Sequence, residues 1–323
     1  MRSGTAGIVV EASRVTVRRA TLTSMGAQLE RRGRLLVLAG PGVIDAGAVL
    51  PLRAFADAGD LGVANTWGAK GVFAWDSPHH RGTCGLQARD FELLGFGVAD
   101  AVVTVGLDPD ESPLARLAPA PLLALDAGAL AEHAGRVVRT GPVIPNELYP
   151  RLAAVAQPGY IDDKVPLHPA RAVADVGAVI PPGGLVTAEP GLAGLWVARV
   201  FPTPALAPDA PRRVVVPARR DPGVAVRLAA AAAITGRPAV AITTAPLDAD
   251  SEAVIAAVPT ERVPLVVEVW TDGGTLPDAT THAERLSAAL ARGAPRVLEV
   301  PVCLEDTDAL VAAAGPLVAW SDQ

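Results

Sequence analysis

Leu35-Leu-Val-Leu-Ala-Gly-Pro-Gly-Val43 is an unbroken apolar run that stops in a Gly-x-Gly turn. An apolar run with no polar alternation suits a strand covered on both faces, the situation of parallel strands flanked by helices. Glycines at such a turn let the backbone approach closely, and a following helix N-terminus favours phosphate. Gly40 and Gly42 therefore read in two ways, as a plain structural turn or as the edge of a nucleotide site. No third glycine stands at the dinucleotide spacing.

Working outward, similar runs recur at Ala101–Val105, Leu122–Leu125, Leu185–Ala188, Arg213–Val216, Ala239–Thr243, Pro264–Val269 and Val297–Val300. Between them lie stretches with helical character: Thr21–Arg32, Gly47–Ala58, Pro169–Val179, Gly223–Thr235, Ser251–Val258 and Thr281–Arg292. This alternation predicts an α/β protein of two Rossmann-like or flavodoxin-like domains, each a mainly parallel sheet flanked by helices. The boundary is expected between Asn146 and Pro166. Gln157-Pro158-Gly159 is expected to break structure there, ahead of the charged Asp162-Asp163-Lys164. The domains would then be residues 1–157 and 158–323, each of ordinary size.

The chain has 323 residues, 50% of them hydrophobic, enough for two buried cores. The charge balance, 28 − 34 = −6, is mildly acidic and scattered, which argues against nucleic acid as a partner. Lys70 and Lys164 are the lysines; the remaining positive charge is arginine. Cys84 and Cys303 cannot form a four-ligand zinc site by themselves, and the five histidines show no metal spacing. The alanine-rich run Val224–Ile234 is too short to span a bilayer, and no secretory leader pattern opens the chain. A soluble, cytoplasmic protein with no membrane partner is expected.

Asn65-Thr-Trp-Gly-Ala-Lys-Gly-Val-Phe-Ala-Trp-Asp-Ser-Pro-His-His-Arg-Gly-Thr-Cys-Gly85 is more specific. It resembles the central domain of thiamine-diphosphate enzymes of the acetolactate synthase and benzoylformate decarboxylase type. Thr66, Gly68, Lys70, Gly71, Phe73, Asp76, Pro78, Gly82 and Gly85 fit that pattern with one extra residue, and His79 follows the proline instead of preceding it. Ala99–Gly106 and Pro121–Asp126 continue the likeness. In relatives this domain can hold FAD, an adenine nucleotide or nothing. If one binds here, Gly40, Gly42, Asn65, Thr66, Lys70, Gly82, Gly85 and Asp126 are the implied contacts. Leu107-Asp108-Pro109-Asp110 has no arginine where the FAD-binding relatives carry one.

The likeness extends through Pro166–Arg171, Leu185–Gly191, Trp196–Arg199, Gly223–Ile234 and Pro238–Thr243 into a pyrophosphate-binding type of domain. That domain's cofactor motif is Gly-Asp-Gly, a spacer, then Asn-Asn, whose oxygens hold the Mg²⁺ of the diphosphate. Here the aligned residues are Thr244-Ala245-Pro246 and Thr271-Asp272, and Ala245 and Asp272 are 272 − 245 = 27 positions apart. The frame persists without most of its ligands. Glu189, Gly191, Thr244 and Asp272 would mark a vestigial thiamine-diphosphate pocket, with Asp272 the one weak metal ligand. The segment between Asp272 and the last strand is short, and the pyrimidine-binding domain of the family is absent from the resemblance. The implied reading is a non-catalytic binding, regulatory or assembly protein with no cofactor of its own. Two alternatives stay open. One is a subunit of a split thiamine-diphosphate decarboxylase or carboligase, holding the cofactor and Mg²⁺ once a separate pyrimidine-domain chain completes the site. The other is an adenine-nucleotide or CoA-ester module. The expected partner is a second copy of the chain or such a pyrimidine-domain protein. No Gly-x-Ser-x-Gly elbow, Walker loop or His-Glu-x-x-His competes.

Overall fold

The apolar runs Leu35–Ala39, Ala101–Val105 and Leu185–Ala188 are strands buried from end to end in the computed structural model, which describes residues 31–111, 121–203 and 213–321. The first half contains β1 (Arg31–Gly33), β2 (Leu35–Ala39), α1 (Gly42–Asp45), α2 (Val49–Gly59), β3 (Gly62–Thr66) and β4 (His80–Cys84). It continues with α3 (Asp90–Leu93), β5 (Ala101–Val105), β6 (Leu122–Leu125), α4 (Leu130–His133), β7 (Val137–Arg139) and α5 (Leu148–Tyr160). The second half contains α6 (Pro169–Val179), β8 (Leu185–Ala188), α7 (Leu192–Val200), β9 (Val214–Val215), α8 (Val224–Ile234) and β10 (Ala239–Thr244). It ends with α9 (Ala249–Ala257), β11 (Leu265–Thr271), α10 (Thr280–Ala291), β12 (Arg296–Pro301) and α11 (Thr307–Ala314).

Every strand pairing within the sheets is parallel. One five-stranded sheet has the order β4-β3-β2-β5-β6, with the winding reversing between β2 and β5. The other has the order β12-β11-β10-β8-β9 and reverses between β8 and β10. These are the Rossmann-like and flavodoxin-like orders, and in both the crevice outside the carboxyl ends at the reversal is where ligands usually bind. A small third sheet pairs β1 with β7.

Three local readings of the sequence change. Most of the Thr21–Arg32 helix lies outside the described residues, and Arg31 and Arg32 belong to strand β1. Gln157-Pro158-Gly159 does not break structure: Pro158 sits in the last turn of α5, whose buried residues Leu148, Ala156 and Gly159 hold it down. Strands β3 and β4 carry too many polar residues for an apolar-run reading to find them.

The two halves interlock. Trp67 and Leu86 of the first half share a core with Trp196, Trp270 and Leu310 of the second. Ala314 of α11 packs in the same cluster as Leu36, Leu38 and Cys84 of the first sheet. Gln87 forms an antiparallel bridge with Leu317, and its side-chain amide donates to the carbonyls of Leu310 (2.8 Å) and Gly315 (2.7 Å). Among the described residues no helix is long and apolar enough to cross a membrane.

Candidate functional site

At the reversal of the first sheet the Gly40-Pro41-Gly42 turn is filled by backbone. The Gly40 amide donates to Val105 O (2.8 Å) and the Gly42 amide to Gly106 O (2.9 Å). A Cβ at Gly40 would stand 2.3 Å from Gly106 O and 2.5 Å from Leu107 Cα. The glycines thus serve close packing of two chain segments, and α1 behind them is a single turn. A Gly40→Ala variant should lose about 1–3 kcal/mol or more, because both obstructing atoms are backbone and cannot swing away. Urea denaturation measures this, and parent-like stability would contradict it.

The neighbouring polar residues are also committed. Asn65 donates to Thr66 O (2.8 Å) and Thr83 Oγ1 (3.3 Å). The Thr66 hydroxyl donates to the buried Glu111 carboxylate at 2.5 Å, and the Gly68 amide donates to it at 3.2 Å. Gly85 holds φ +88° against Trp67 and the Glu111 backbone. Asp126 accepts from the Gly128 amide (2.7 Å) and shapes a turn.

Lys70 and Gly82 stand elsewhere, in the wall of a cavity of about 410 Å³ between the halves. Strand β4 contributes His80 and Thr83, α5 contributes Tyr149, Leu152, Ala156 and Tyr160, and the end of α7 contributes Arg199 and Val200. The electrostatics are one-sided, because no carboxylate is among the described lining residues. Among the described residues the Lys70 ammonium has no hydrogen bond or ion pair; burial, then the Arg199 charge, lowers its pKa to about 7. His80 is pushed down to about 4 by burial and then by Lys70, and its buried Nδ1 has no hydrogen-bond partner among the described residues. Its ring meets Tyr149 edge-on, with centroids 6.4 Å apart. The Tyr160 hydroxyl donates to Val200 O (2.8 Å), and burial, then Tyr149, pushes its pKa up to about 12.

Arg199 ties the cavity to the junction. Its guanidinium donates to Asp90 Oδ1 (2.5 Å), Gln87 Oε1 (3.0 Å) and Thr83 O (2.6 Å). The Arg199 and Asp90 side chains are 1% and 0% exposed. Asp90 also accepts from the amides of Leu86 (2.9 Å) and Gln87 (3.0 Å). Burial drives the Asp90 carboxyl up despite the pull of Arg199 and these amides. The family likeness runs through Trp196–Arg199 but implies no role for Arg199. Its signal is an arginine on a helix whose other residues are almost all apolar.

At the reversal of the second sheet the protein supplies its own anion. Glu189 follows β8, and its carboxylate accepts from the amides of Gly223 (3.1 Å) and Ala225 (3.1 Å) at the amino end of α8. Burial raises the Glu189 carboxyl; the Ala225 amide opposes, Asp248 adds to the rise, and the Gly223 amide opposes again. Thr244 ends β10 half-buried, Ala245 and Pro246 are exposed, and Asp272 is exposed beyond β11. Gly191, at φ +138°, starts α7. No group of three or more His, Cys, Asp or Glu among the described residues could hold a metal. One exposed carboxylate and a carboxylate-filled helix end do not fit a magnesium diphosphate, whose cation wants several hard oxygens around it.

A second cluster in this half was not foreseen. His282 of α10 lies between Asp175 Oδ2 (3.0 Å) and Glu268 Oε1 (3.0 Å). Arg171 Nε donates to Asp175 Oδ1 (2.9 Å), and the Trp270 indole to Glu268 Oε2 (3.4 Å). Burial opposes charge on His282, but Glu268 and Asp175 prevail and lift its pKa to about 10. The signal was Glu268 itself, a charge inside the apolar strand β11.

Residues 23–134 match the family model described as thiamine pyrophosphate enzyme, central domain. Among solved structures, a candidate thiamin diphosphate-dependent enzyme from Mycobacterium smegmatis superposes with a TM-score of 0.62 at 17% identity, over 83% of this chain and 61% of that one. This chain therefore spans under two thirds of that structure's length, and at that identity the likeness is one of fold. No curated protein matches the sequence.

Proposed function

For a chain whose residues 23–134 match the central domain of thiamine pyrophosphate enzymes, we propose a role as a binding, regulatory or assembly component that does not hold thiamine diphosphate by itself. One observation carries the reading: the Glu189 carboxylate accepts from both Gly223 and Ala225 at the amino end of α8. An incoming diphosphate would have to displace that carboxylate and meet its charge. Two like charges close together cost several times more in a partly buried site than in water. Ala245 and Pro246 supply no side-chain oxygen for a cation, and Asp272 supplies one carboxylate at most. On this reading the partner is a second copy of the chain or a pyrimidine-domain protein, and the site it would complete is not a decarboxylase centre.

Isothermal titration of the chain with thiamine diphosphate and Mg²⁺ should give no saturable heat. Glu189→Gln removes the resident charge but restores no metal ligand, so it should not recover tight binding. Tight, Mg²⁺-dependent binding by the parent chain would overturn the reading.

A further inference from the structure

We propose that the cavity between the two halves binds a small organic monocarboxylate with an apolar body, its carboxylate pairing with the Lys70 ammonium. The idea goes beyond the loss of cofactor binding and does not depend on it, since the cavity and the Glu189 position are built from different residues.

The chemistry follows from the lining. Lys70 reaches a pocket whose described walls hold no counter-charge. A cation taken from water without a partner is costly, and a ligand carboxylate would supply what the protein does not. Arg199 does not compete for that carboxylate, because Asp90, Gln87 and Thr83 O already engage its guanidinium. One free cation suits one negative charge. Leu152, Ala156, Phe201 and Pro202 line the cavity with apolar surface. Trp75 and Tyr149, also in its lining, are 58% and 37% exposed. An apolar body therefore gains from burial where a bare inorganic anion would not. The volume, about 410 Å³, lies within the range of roughly 300–1,000 Å³ usual for small-molecule sites.

Proton linkage gives the site a signature. His80, Tyr149, Tyr160 and Arg199 face Lys70 across the cavity, with Asp90 behind Arg199. His80 is held low and both tyrosines are held high, so these rings stay neutral near neutral pH. Lys70, at about 7, is the described lining group that titrates there. A carboxylate should thus bind more tightly as pH falls through 7 and should draw a proton onto the protein.

The test uses the full chain with octanoate and phenylacetate as probes, beside the neutral octanamide and phenylacetamide. Titration calorimetry is run at about pH 6 and about pH 8, either side of the Lys70 value of about 7. The acids should bind at least about tenfold more tightly than the amides, a gap of about 1.4 kcal/mol. Their advantage should shrink at the higher pH. Lys70→Met should erase it, and Ala153→Trp, which fills the cavity from α5, should block acid and amide alike in a chain whose circular dichroism is unchanged. Equal binding of acid and amide, a Lys70→Met variant that keeps the discrimination, or no binding of either acid to the folded chain would overturn the proposal. The Ala153→Trp arm stands on a different element, so a misfolded lysine variant does not remove the test.

Discussion

An Arg199→Met variant should unfold in urea about 3–5 kcal/mol more easily than the parent at neutral pH, the usual consequence of removing one partner from a buried ion pair. Methionine keeps most of the side-chain length, so the loss reports charge and hydrogen bonding more than volume. The guanidinium makes its contacts entirely with groups of the other half: Asp90 at 2.5 Å, Gln87 at 3.0 Å and the Thr83 carbonyl at 2.6 Å. Without it the Asp90 carboxylate is buried with two backbone amides and no counter-charge, and burial already pushes that carboxyl upward. Its folded pKa should rise further. A carboxyl with a folded pKa above the unfolded one binds its proton more readily when folded, so acid favours the folded state. The deficit should therefore shrink as pH falls from neutral towards 5. A deficit independent of pH would mean that Asp90 is not the group left stranded.

His282→Ala should cost a similar amount, about 3–5 kcal/mol, because it leaves Glu268 and Asp175 facing each other in the core without the cation between them. His282 and Glu268 are 1% and 0% exposed in their side chains, so solvent screening does little. The pH dependence has a definite sign. The folded pKa, about 10, stands above the ordinary 6.5, so the folded state keeps the proton after the unfolded chain has lost it. This contribution is complete below about pH 6.5 and is lost as pH rises through about 10. Denaturation midpoints of the parent should fall across that alkaline window, beyond the background shared with His282→Gln. Parallel profiles for parent and His282→Gln would exclude a charged His282 in the core.

The parallel sheets were legible because their central strands are covered on both faces. Val37, Val103, Val186 and Ala241 are buried with no polar alternation to obscure them. Strands β3 and β4 were hidden because their polarity is satisfied at long range. Arg81 in β4 reaches the carbonyls of Leu94, Ile144 and Pro145, which lie up to 64 residues away. Nothing local announces such partners. The site was half legible for the same reason. Lys70 and Gly82 lie in the glycine-rich stretch, whereas Tyr149, Tyr160 and Arg199 come from helices with no motif, and one of these helices runs through Pro158. Gly40 and Gly42 were chemically suggestive, but Gly106, 64 positions on from Gly42 (106 − 42), packs against that turn. The eroded cofactor motif was readable as lost ligands. That Glu189 sits at the helix end was not, since its partners Gly223 and Ala225 are 34 and 36 residues away.

The hydrogen bonds from Gln87 to Leu310 and Gly315 span 223 and 228 positions, and they imply an order of events on the ribosome. Synthesis at roughly 5–20 residues per second separates the appearance of Gln87 from that of Gly315 by on the order of 10–45 seconds. For that interval the first half lacks Ala314, which completes the cluster over Leu36, Leu38 and Cys84 in the finished fold. The growing chain therefore carries an open apolar flank while most of the second half is being made. Slow translation, or a stop ahead of α11, would prolong that exposure and make the nascent chain a client of holdase chaperones until that helix arrives.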